Sequence, residues 1–173
     1  MTLETIKAAL ERNVKAVSLR PSIGQGTATT SVKWREGLTC DIEEGPWKLV
    51  AGMTEKYGGC NAGPNPGVYG RAAFGSCLVI GYMMWASRLA IPVRSLKVEV
   101  QADYDVRGEL GVDDSVRPGY TRMRYIVTID SDASEEDVMR LLDTAERHSS
   151  WLDDLANPVP MQREVRFVPA TAQ

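Results

Sequence analysis

Between Asn61 and Leu89 a loop of Gly, Asn and Pro gives way to the longest uninterrupted helical stretch in the chain, and the other segments have to be arranged around it. Asn65 has the side chain of a helix N-cap, and Pro66 suits the first helical position, where its missing N–H costs nothing. From Gly67 to Leu89 the residues are small or apolar on almost every side, with Arg71 and Arg88 near the two ends. This predicts a helix of about six turns with no broad solvated face, buried at the centre of the fold. Gly67, Gly70, Gly75 and Gly81 each weaken such a helix by roughly 1 kcal/mol relative to alanine. Their presence points to close backbone packing, against another helix of this chain or of a second copy.

Cys77 sits in the middle of this helix, sharing a face with Gly70, Ala73, Phe74, Ile80, Gly81 and Met84. Two readings are open for it: a small buried hydrophobe, as free cysteines commonly are, or a reactive thiol. Cys40 falls among inward-facing strand residues and reads as core, whereas Cys60 lies between Gly59 and Asn61 in a loop and reads either as an exposed thiol or as an incidental loop cysteine. Three cysteines and a single histidine, His148, have neither the spacing of a zinc site nor the even number of a disulfide framework. His148 reads as a helix-end residue, with a role as base to Cys77 as the other reading.

The 173 residues fit one domain, and a net charge of −3 supplies no electrostatic attraction for nucleic acid or an anionic membrane. No signal peptide is expected, because the first residues form an amphipathic pattern carrying Glu4, Lys7, Glu11, Arg12 and Lys15. The longest apolar run, Cys77 to Ala86, is too short to span a bilayer, so the expected location is the cytoplasm.

The flanking segments predict an α+β chain. Leu3, Ile6, Leu10, Val14 and Val17 define a first helix from residue 3 to about 15, capped by Thr2, and residues 21–26 form a flexible connector. The period then changes to two. Strands over residues 27–35, 38–43 and 47–50, with turns at Glu36-Gly37 and Glu44-Gly45-Pro46, predict an antiparallel meander. After the central helix, Leu96, Val98, Val100, Ala102 and Tyr104 alternate along one strand. Met123, Tyr125, Val127 and Ile129 alternate along another, and residues 105–119 read as a polar loop between them. Ser134 with Glu135, Glu136 and Asp137 starts a helix running to His148, and Met161 to Val168 reads as a last strand.

Asn65-Pro66 ahead of Gly75-Ser76-Cys77-Leu78, the strand pair joined by a polar loop, the helix ending in Ala145-Glu146-Arg147-His148-Ser149-Ser150 and the Asn-Pro-Val-Pro segment together resemble the OsmC/Ohr family. The resemblance covers residues 27–168 and leaves residues 1–20 as an N-terminal helical extension. It implies an OsmC-like fold, in which antiparallel sheets wrap long central helices in an intertwined homodimer. Many members are thiol peroxidases acting on organic hydroperoxides, and Cys77 stands at the position of the attacking cysteine. A cation should favour its thiolate; Arg35 is the better match for it and Lys56 the other candidate. The family's second cysteine falls at Ser149, and its Asn-Pro-Glu carboxylate falls at Gly67.

The resemblance therefore implies a thiol-dependent peroxidase working through a single cysteine, with Cys77 and Arg35 as catalytic residues and an external thiol as reductant, unless Cys60 supplies the resolving sulfur. It involves no metal or other cofactor. The alternative is a non-catalytic dimer that binds an apolar small molecule at its interface. Neither nucleic acid nor membrane is expected as a partner.

Overall fold

In a computed structural model that describes residues 2–169, the segment after Asn65 is a single helix, α2 (Pro66–Leu89). The Asn65 side chain accepts the Val68 N–H at 3.0 Å, and Pro66 occupies the first turn, as the sequence predicts. One face of α2 is core. Phe74, Leu78 and Tyr82 are at most 2% exposed, and Leu96, Val98, Val100, Met123, Tyr125 and Val127 pack against them. Burying each such side chain contributes roughly 1.5–3 kcal/mol. The opposite face is open in the single chain. Ile80 is 60% exposed, and a Cβ at Gly70 or Gly81 would meet no atom within 4 Å. Gly75 does serve close packing, since a Cβ there would approach Val100 to 3.2 Å. The expectation of a helix buried on all sides thus holds for one side only.

The sheet beneath α2 is a two-stranded antiparallel pair, β4 (Ser95–Asp103) and β5 (Arg122–Asp130). In its register Val98 faces Val127 and Val100 faces Tyr125, so both strands present their apolar residues to the helix. Phe74 and Tyr125 meet edge to face at 5.5 Å. The other face carries Arg124, which donates to Asp103 and Gln101. In the connection between these strands Asp105 caps a short helix, α3 (Val106–Glu109), that the sequence reading took as loop.

The three-stranded antiparallel meander forms in the expected order, β1 (Ser31–Glu36), β2 (Thr39–Glu44), β3 (Trp47–Gly52), with its first strand starting at Ser31 rather than at residue 27. It joins the body at few points. Tyr69 Oη donates to the Val50 carbonyl at 2.7 Å, and the Gly52 N–H donates to the Pro64 carbonyl at 3.2 Å. The register puts Val32, Trp34, Cys40, Ile42, Trp47 and Leu49 on one face. That face is uncovered in one chain: Trp34 and Trp47 are 71% and 70% exposed. Cys40 is accordingly half-buried rather than core.

Helix α1 (Leu3–Leu19) is capped by Thr2, runs four residues beyond its expected end and packs on α2. A 3-10 turn, Pro21–Gly24, replaces part of the expected flexible connector. The acidic start at Ser134 opens α4 (Glu135–Glu146). Leu141 and Ala145 of α4 are buried against α2.

Three expectations are corrected. The helix after Ser134 does not run through to His148 but ends at Glu146, and a further helix, α5 (Ser150–Ala156), starts after a sharp corner capped by Ser149. Residues 161–168 form no strand. Met161, Val165, Phe167 and Val168 lie exposed, because no strand edge of this chain runs beside them to take up their backbone N–H and C=O groups. By length and composition α2 is long enough to cross a membrane, contrary to the short apolar run read from the sequence. Its Phe74, Leu78 and Tyr82, however, build the core of this chain.

Candidate functional site

Cys77 lies half-buried on α2, midway along its length, where its own helix ends are too far away to act on it. A different helix reaches it. The corner between α4 and α5 brings Ser149 Oγ to 3.6 Å and Ser150 Oγ to 3.8 Å from Cys77 Sγ. Ser149 Oγ also accepts the Leu152 N–H at 3.3 Å as the cap of α5, which leaves its own hydrogen available to the sulfur. The backbone N–H groups of Trp151 and Ser150 add to the influences that favour the thiolate. Burial pushes the Cys77 thiol up, but these N–H and O–H donors favour the thiolate and together bring it below its ordinary value.

The corner that carries these donors is anchored in the core. Tyr82, one and a half turns along α2 from Cys77, donates its hydroxyl to Glu146 Oε1 at 2.6 Å. Glu146 is the last residue of α4, and its carbonyl accepts the Ser149 N–H at 3.1 Å. Burial and the Glu146 carboxylate push Tyr125 up to about 12 and push Tyr82 upward for the same reasons.

The other residues picked out by sequence are elsewhere in the single chain. Arg35 grips Asp41 across the first hairpin, with Nε 3.1 Å from Oδ2 and a second contact from Nη2 to Oδ1. That hydrogen bond raises the Arg35 pKa and lowers that of Asp41. The thiol whose charge bears on Arg35 is Cys60, exposed and 3.6 Å from Thr39 Oγ1. Among the described residues, the leading influences on Cys77 are burial and N–H and O–H donors, not a cation. Lys56 instead lies 5.9 Å from the ring centre of Tyr57. His148 places Nδ1 2.8 Å from the Thr144 carbonyl and stacks on Trp85, so it serves the helix end rather than Cys77. Among the described residues no group of three or more His, Cys, Asp or Glu side chains is placed to hold a metal ion.

The resemblance set Ser149 at the position of the family's second cysteine; that the turn formed by Ser149 and Ser150 faces Cys77 was not read from the sequence. The available signal was the place of Ser149 in the resemblance, at the position of a residue that must touch the thiol.

The site is thus a thiol at the centre of a long helix that lies over an antiparallel sheet, facing the corner between two further helices. The profile of the family described as OsmC-like protein matches residues 58–164, more than half of the chain. The chain belongs to the OsmC-like family. Solved structures agree in fold. An OsmC-like protein from Mycoplasma pneumoniae superposes with a TM-score of 0.67 at 12% identity, over 78% of this chain and 90% of that one. The organic hydroperoxide resistance protein OsmC from Legionella pneumophila gives a TM-score of 0.55 at 15% identity, over 76% and 91% of the two chains. An organic hydroperoxide resistance protein from Elizabethkingia anophelis gives 0.57 at 12% identity, over 78% and 92%. No curated protein matches the chain.

Proposed function

We propose that this protein is a thiol-dependent peroxidase that reduces organic hydroperoxides through Cys77, working as a cytoplasmic homodimer with an external small thiol as reductant. The observation that carries the reading is the set of donors at the α4–α5 corner, which favours the Cys77 thiolate although the sulfur is half-buried. Only the thiolate attacks a peroxide. The thiolate sulfur takes the terminal oxygen of ROOH, the O–O bond breaks, and the alkoxide leaves as ROH with a proton from solvent, giving a sulfenic acid. An external thiol then condenses with the sulfenic acid, releasing water and forming a mixed disulfide. A second external thiol displaces Cys77 from that disulfide. Ser149 has no sulfur with which to close a disulfide itself.

The homodimer is supported by the uncovered apolar face of the meander, by the open Gly70, Gly81 and Ile80 side of α2, and by the unpaired extended segment after residue 160. A second copy is the natural cover for all three, and Arg35 of a second copy is the source of the cation that Cys77 lacks within its own chain. The second reading, a non-catalytic dimer holding an apolar small molecule at its interface, is favoured by the hydroxyl at position 149 and by the pairing of Arg35 with Asp41.

The deciding experiment is mass spectrometry of the intact protein after brief exposure to one equivalent of cumene hydroperoxide with a sulfenic-acid trap present. Trapping at Cys77, lost in Cys77→Ser, is the expected result. A folded dimer that gives no adduct would leave the binding reading in its place.

A further inference from the structure

Away from Cys77, the first turns of α2, the loop after β3 and the connection between β4 and β5 enclose a cleft of about 400 Å³. Met53, Tyr57, Tyr104 and Pro118 line it together with the half-buried Arg71 and Tyr120. Arg71 is half-buried and uses Nη1 to donate to Tyr120 Oη at 2.9 Å, while Tyr120 donates to the Gly67 carbonyl at 3.1 Å. A Cβ at Gly67 would lie 3.2 Å from Tyr120 Oη and 3.3 Å from Arg71 Nη1, so the absence of a side chain there is what lets these two groups draw in. Among the described residues no carboxylate pairs with Arg71, and a guanidinium carries five donors.

A half-buried guanidinium without a carboxylate, beside aromatic walls in a cleft of small-molecule size, is complementary to an organic acid. We propose that this cleft binds a small monocarboxylate with an apolar body, its carboxylate on Arg71 and its body against Tyr57 and Tyr104. The rim narrows the class. Asp105 is engaged by Arg107, with Nε 3.1 Å from Oδ1, but Glu109, an exposed lining residue, opposes more highly charged anions such as phosphate more strongly than a monoanion. The proposal does not depend on the peroxidase reading, since no atom of Cys77 lines the cleft.

The test is isothermal titration of the full-length protein, in its native oligomeric state, with phenylacetate, octanoate, the neutral isostere phenylacetamide and inorganic phosphate. At least one of the two acids should bind saturably, and the amide and phosphate should bind more weakly than phenylacetate. Arg71→Gln should weaken acid binding on the order of tenfold to a hundredfold, with part of the affinity kept in Arg71→Lys. Should Arg71→Gln not fold, Tyr104→Ala carries the test, because Tyr104 is 66% exposed and its removal should cost affinity without cost to the fold. Equal binding of acid and amide, phosphate binding as tight as phenylacetate, unchanged affinity in the variants, or no binding of either acid would each overturn the proposal. The titration involves no peroxide chemistry, so its failure and failure of the peroxidase reading are separate results.

Discussion

Replacing Ser149 by cysteine puts a sulfur where an oxygen now sits 3.6 Å from Cys77 Sγ, and bonding the two would cross-link residues 72 apart in the chain. Closing a loop of that length removes enough denatured-state entropy to stabilise the fold by about 4 kcal/mol in the chain-entropy account. Against this, Ser149 caps α5, and losing the cap costs about 1 kcal/mol whether or not the cross-link forms. Reduced Ser149→Cys should therefore be about 1 kcal/mol less stable than the wild type, and the oxidised form about 3 kcal/mol more stable. With a urea dependence of about 2 kcal/mol/M, the oxidised form should unfold about 2 M later in urea than its own reduced form, both at one protein concentration. Oxidation with diamide tests the geometry alone, and oxidation with cumene hydroperoxide tests geometry and peroxide reactivity together. Peptide mapping should find position 77 joined to position 149. A cross-link through Cys60 instead, or no cross-link with diamide in the folded protein, would refute the placement of the α4–α5 corner against Cys77.

Ser150→Ala removes a hydroxyl donor from the thiolate without touching the cap of α5, so the pH profile of Cys77 alkylation should move to higher pH while the unfolding midpoint stays put; an unmoved profile would mean that the hydroxyl does not act on the sulfur. Tyr125, raised from 10.0 to about 12, and Tyr82, raised in the same direction, stay protonated in the fold when their unfolded counterparts ionise. Their contribution is complete below pH 10 and is lost as pH rises through the folded values, so stability should fall from pH 10 upward. The loss should be smaller in Tyr82→Phe, as urea titrations at pH 8, 10 and 11 would show. Removing the Tyr82 hydroxyl from Glu146 should itself cost about 1.5–3 kcal/mol at neutral pH. Trp34→Lys places a charge on the open meander face and should shift the protein toward monomer in sedimentation; an undisturbed dimer would mean that this face is not its interface.

The sequence alone determined the elements whose signals are local. Asn65-Pro66 fixed where α2 begins, because capping and proline geometry act within one turn. The alternation from Leu96 and from Met123 fixed which face of β4 and β5 meets the helix, because side chains on a strand change face at every residue. The family was legible too, because its motifs are short local patterns that keep their order along the chain.

What acts on Cys77 was decided by tertiary structure. Ser149 and Ser150 are more than 70 residues away in the chain, and they reach the sulfur only because α4 stops at Glu146 and turns. Within the chain, Arg35 has its nearest charge in Asp41, its neighbour across the hairpin, and no periodicity could weigh that contact against a distant one. The segment 161–168 has the composition of a strand but pairs with nothing in its own chain, because a strand is completed by its neighbour and the sequence of a segment does not say where that neighbour lies.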